Sequence, residues 1–109
     1  MLFSSFLVRV IEPHQAKAEG IVYIRADGTI DPLSASIVTV DNVTYTLIAN
    51  VFSQIVIERN HITVDGAGYA VQGDGGIGSA GVRLDGGLNV TVKNTTITGW
   101  WYGIDAAMA

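Results

Sequence analysis

The chain has 109 residues, a net charge of −4, no cysteine, and 49% apolar residues against only 15% charged ones. That length holds one small domain or part of a larger one. The mild acidity without any Lys/Arg cluster excludes a phosphate-backbone footprint, and the missing cysteines exclude disulfides and thiolate metal sites.

Thirteen glycines against two prolines, with no Ala/Leu/Glu/Lys runs after residue 20, point to short strands and tight turns rather than helices. The first stretch is different. Leu2 to Val8 is apolar but for Ser4 and Ser5, Arg9 interrupts it, and Val10-Ile11 resumes it. Ala16-Lys17-Ala18 then places small residues at the −3 and −1 positions of a signal-peptidase site, before Glu19. The expected division is a signal peptide over 1–18, with a short amphipathic helix or a disordered leader as the alternative. The apolar run is too short to cross a bilayer, which takes about 20 residues.

Ile21-Val22-Tyr23-Ile24 reads as a strand that stops at Ala26-Asp27-Gly28. Thr29 to Ser36, with Asp31-Pro32, reads as a loop. Ile37 to Val40 and Val43 to Ile48 are two further strands, and Asp41-Asn42 between them has hairpin-turn chemistry.

From residue 55 the strands shorten and recur: Ile55 to Ile57, Ile62 to Val64, Tyr69 to Val71, Val82 to Leu84, Val90 to Val92, Thr96 to Thr98 and Gly103-Ile104. Asp65-Gly66, Gly73 to Gly76, Asp85-Gly86-Gly87 and Lys93-Asn94 separate them. They superpose at a nearly fixed offset. Ile62 falls on Val90 at 28 residues, Val71 on Ile97 at 26, Val82 on Ile104 at 22, and Ile55 on Val82 at 27. The offset shrinks past the glycine-rich loop at 73–80, as an insertion in one coil would make it do. A repeat of that length with three short strands is the mark of a solenoid.

Two runs carry a family resemblance. Ile62-Thr63-Val64-Asp65-Gly66-Ala67-Gly68, continuing to Gly73, is one; Gly81-Val82-Arg83-Leu84 with Asn89-Val90-Thr91-Val92-Lys93-Asn94 is the other. Over residues 55–105 the chain resembles the NosD-type, pectin-lyase-like right-handed parallel β-helix repeat proteins. The resemblance implies an all-β solenoid of about two coils over 55–109, preceded by an N-terminal β capping section over 19–54. It also implies more coils than are present, so the chain is expected to be an N-terminal fragment with an open C-terminal coil that can self-associate.

Candidate chemistry is sparse. Catalytic use of Asp65, Asp74, Asp85 and Asp105 is weighed against turn chemistry, because the first three adjoin glycines. Arg83 and Asp105 follow Val82 and Ile104, so an outward charged pair is expected there. Trp100-Trp101-Tyr102 offers rings for sugar stacking, against packing of one Trp into the core. Asn42, Asn89 and Asn94 each begin an Asn-x-Thr sequon, with a corner ladder as the alternative role for Asn94.

The copper in the family name finds no ligand set: the histidines are His14 and His61, the methionines Met1 and Met108. No metal, cofactor, nucleic acid or membrane span is expected. The expected function is a secreted or cell-surface scaffold binding polysaccharide or a surface glycan. The alternative is the first coils of a polysaccharide lyase, hydrolase or epimerase whose active site lies on other coils.

Overall fold

A computed structural model describes residues 20–106, and the expected signal peptide lies outside the described residues. Eleven short strands make up the fold. They are β1 (Ile21–Ile24), β2 (Ile30–Asp31), β3 (Ile37–Thr39), β4 (Thr44–Leu47), β5 (Gln54–Ile57) and β6 (Ile62–Asp65). The rest are β7 (Ala70–Gln72), β8 (Ala80–Leu84), β9 (Val90–Lys93), β10 (Thr96–Thr98) and β11 (Tyr102–Asp105).

The expected single right-handed parallel β-helix solenoid is corrected by the strand pairing. The chain forms three sheets of five, four and two strands, in the orders β11-β8-β5-β1-β2, β3-β4-β6-β9 and β10-β7, the first two of them mixed. Two of the pairs, β1 with β2 and β3 with β4, are antiparallel. The physical cause lies in two tight reversals. In the first, Arg25 N donates to Thr29 O at 2.9 Å and Asp27 Oδ1 accepts from Thr29 N and Oγ1 at 3.0 and 2.7 Å. Ile30 and Asp31, read from the sequence as loop, therefore return along β1. In the second, Asp41 Oδ1 accepts from Val43 N and Thr44 N at 2.9 and 2.8 Å, closing the expected hairpin with a Val40 to Val43 connection.

The parallel pairs follow the sequence offsets. Ile62 stands opposite Val90, Val71 opposite Ile97, Val82 opposite Ile104, and Ile55 opposite Val82. Period-two alternation then sends one side of every strand inward. β4 and β6 each alternate buried with half-buried residues. Val22, Ile24, Ile37, Tyr45, Leu47, Val51, Ile55, Ile57, Ile62, Val64, Val71 and Val82 form one apolar cluster drawn from all three sheets. Each such side chain, fully buried, contributes about 1.5–3 kcal/mol before entropy is counted.

Two polar ties hold the corners. Tyr45, wholly buried, donates its hydroxyl to Gly28 O at 2.7 Å, linking β4 to the β1–β2 reversal. Burial also pushes the Tyr45 phenol pKa up. Arg59, between β5 and β6, donates to Asn42 O at 3.0 Å and Ala26 O at 2.6 Å. Asn42, His61 and Asn89, aligned by register, all have left-handed φ, between 57° and 60°.

Burial is graded. Val90, Val92 and Ile97 are partly buried, and Ile104 on the edge strand β11 is 50% exposed although Val82 beside it is buried. Gly99 (φ 80°) packs its backbone on Gly73, whose carbonyl oxygen an added Cβ would strike. Gly68 (φ 91°) has open space around its Cβ position. Gly68→Ala is expected to cost about 1 kcal/mol from backbone strain alone, and Gly99→Ala measurably more. Urea unfolding midpoints of the two variants check the order.

Candidate functional site

The Trp100-Trp101-Tyr102 triplet lies where β10 leads into β11, and its three rings have different settings. Trp100 is half-buried, packs against the core cluster, and donates Nε1–H to Val71 O at 3.1 Å. Glycine makes its room: a Cβ on Gly73 would come within 2.5 Å of the indole, and one on Gly81 within 2.8 Å. Trp101 is 55% exposed, and its backbone N–H reaches Ser79 Oγ at 3.5 Å, at the end of the glycine-rich loop. Tyr102 pairs with Ala80 and Ile104 with Val82, so Tyr102 and Ile104 share the face that is buried one strand inward. Both are left about half exposed at the sheet edge. The triplet therefore divides into an anchor, a free indole and an edge ring.

The expected charged pair is present. Arg83 Nη2 lies 3.5 Å from Asp105 Oδ2, on paired residues of β8 and β11. Both side chains are partly exposed, so the pair contributes at most about 1 kcal/mol. Arg83 Nε is buried without a hydrogen-bond partner. A second charged group on the same sheet went unread in the sequence. Arg25 stacks 3.8 Å above the Tyr23 ring, pairs with Asp31 at 2.8 Å and with Glu58 at 3.3 Å. The hydrogen bond to Asp31, reinforced by the charge on Glu58, raises the Arg25 pKa further above its usual value. The signal was available in the register, since Ile24 pairs with Ile57 and so sets Arg25 beside Glu58.

The acidic residues do turn work. Asp65 Oδ1 accepts from Ala67 N at 2.9 Å and Asn94 Nδ2 at 3.1 Å. Asp74 Oδ1 accepts from Gly76 N at 3.2 Å, and Asp85 follows β8 in an exposed turn. No group of three or more His, Asp or Glu that could hold a metal occurs among the described residues. Among them no helix is long and apolar enough to cross a membrane.

The sequons are unequal. The nitrogen that would carry a glycan is Nδ2. In Asn89 it lies 2.9 Å from His61 Nδ1, and in Asn94 it donates to Asp65. Asn94 is exposed, so its amide is bonded rather than buried. Asn42 is exposed at the hairpin turn, and its amide makes no side-chain hydrogen bond among the described residues. In a host that N-glycosylates secreted chains, mass spectrometry is expected to find glycan on Asn42 at higher occupancy than on Asn89 or Asn94.

Three carboxyls sit below the ordinary range: Asp27, held by the Thr29 N–H; Asp41, by the Thr44 N–H; and Asp65, by the Ala67 N–H. Each stays more ionised in the fold than in the unfolded chain as pH falls toward about 3.9. Their contribution is complete above that value and is lost as pH falls through the lower folded values. Urea midpoints are expected to be flat near neutrality and to drop below about pH 4, less steeply in Asp41→Asn, which keeps the acceptor oxygen and loses the titration. No protein-family model, no curated protein and no solved structure matches the chain, so the chemistry of these surfaces carries the functional reading.

Proposed function

We propose that the chain is a non-catalytic β-sheet scaffold that works outside the cell and binds polysaccharide or a cell-surface glycan. The observation that carries this reading is the exposed Trp101 indole held next to an anchored one. An indole offers a large flat apolar face that a sugar ring can cover. Trp100, fixed by its bond to Val71 O and by the glycines beneath it, holds the adjoining backbone in place. Less freedom is then lost when a ligand settles on Trp101. Asp65 and Asp74, which accept turn N–H groups, and Asp105, paired with Arg83, support a binding role over a hydrolytic one. The Ala16-Lys17-Ala18 pattern supports export.

Co-sedimentation with insoluble polysaccharides tests the reading. Trp101→Ala is expected to lower retention about tenfold, with Trp101→Phe recovering part of it. Thermal melting of Trp101→Ala should match the parent, because that ring is exposed. Trp100→Ala is expected to lose stability instead, toward the lower end of about 3–5 kcal/mol. No retention of the parent on any polysaccharide would sink the proposal, and equal retention by parent and Trp101→Ala would remove Trp101 as the binding surface.

The half-exposed Ile104 and Tyr102 on edge strand β11 favour a second reading, self-association along that edge. Light scattering on the parent should then show a defined oligomer, and Ile104→Lys should return it to monomer.

A further inference from the structure

A cleft of about 370 Å³ lies at the other edge of the five-stranded sheet, away from β11. The start of β1, the β2–β3 connection and the β4–β5 connection enclose it. None of its ten lining residues is charged. A charged ligand entering it would lose hydration and meet no counter-charge. Its residues with polar side chains are Ser34, Ser36, Ser53 and Asn50. None of the three hydroxyls has a hydrogen-bond partner among the described residues, and each can both donate and accept. Asn50 is held in place because its Oδ1 accepts from Ala70 N at 2.9 Å. Phe52, 37% exposed, supplies an aromatic ring beside Val51.

We infer that this cleft is a binding subsite for a neutral pyranose, one or two rings in size. A sugar ring needs paired donors and acceptors around its rim and an apolar surface for its C–H face. The serines and the phenylalanine that line the cleft carry both kinds of group. The volume is at the lower end of the roughly 300–1,000 Å³ range of small-molecule sites, which suits a mono- or disaccharide. The inference rests on the carbohydrate reading above and adds to it a ligand class, uncharged rather than uronic, and a place remote from Trp101.

The test uses the full 109-residue chain, isotopically labelled and titrated in separate NMR experiments with maltose, cellobiose, lactose and digalacturonate. At least one neutral disaccharide is expected to shift the backbone amides of Ser34, Ser36, Phe52 and Ser53, while digalacturonate leaves them in place. Phe52→Ala should weaken that titration roughly tenfold. Ser34→Ala, on an exposed loop, should weaken it without touching the fold, and Trp101→Ala should leave it unchanged.

Silence at these amides with all three neutral sugars overturns the inference. So does a response to digalacturonate alone, or shifts confined to Trp101 and Tyr102. In that last case the polysaccharide-binding proposal stands and only the cleft is lost. Conversely, cleft shifts together with retention on polysaccharide that ignores Trp101→Ala would keep the cleft and discard the Trp101 surface.

Discussion

The three sheets depend on one another, because none of them is wide enough to bury its own inner face. The two-stranded sheet of β7 and β10 could not stand in water alone, since an isolated pair is marginal at best. What holds it is Val71, 1% exposed among side chains from the other two sheets. The same condition applies to the strands themselves, which are two to five residues long. Register is therefore the central constraint. A slip of one residue would exchange the inner and outer faces of a strand and remove its whole apolar set from the shared cluster.

Turn chemistry enforces that register without any disulfide. The left-handed residues Asn42, His61 and Asn89 are aligned at the entries to β4, β6 and β9. Asn60 Oδ1 takes Leu88 N and Asn89 Nδ2 meets His61 Nδ1, so one turn is tied directly to the next. Arg59 repeats the device with main-chain carbonyls, spanning from Ala26 to Asn42. The surface acids belong to the same scheme. Asp27, Asp41 and Asp65 each hold a backbone N–H two residues on, which accounts for their low pKa values.

Much of this was legible in the sequence because parallel neighbours repeat the same side-chain pattern. The offset between Ile62 and Val90 is the register of β6 on β9. The hairpin over 37–48 and the Arg83–Asp105 pair were legible for the same reason. The antiparallel return of β2 was not, since Ile30-Asp31 is only two residues long and precedes a proline. The repeat over 55–109 implies a parallel β-helix set after a separate capping section, whereas the chain joins strands of both segments in shared sheets. Ser34-Ala35-Ser36 and Phe52-Ser53 carried no periodic signal, because a cleft assembled from two connections is a tertiary feature. The division of labour between Trp100 and Trp101 was also hidden. It depends on Gly73 and Gly81, which lie far back in the chain from Trp100.

That division has an optical consequence. The protein has two tryptophans, neighbours in sequence, and they sit in opposite media. Trp100 emits from a partly apolar pocket with its N–H bonded to a carbonyl, while Trp101 emits largely from water. Native fluorescence is thus a sum of a bluer and a redder component, and a soluble quencher reaches chiefly the second. Loss of the blue component follows the sheets coming apart, whereas dimming of the red one follows whatever settles on the surface. A single spectrum separates folding from binding without any attached label.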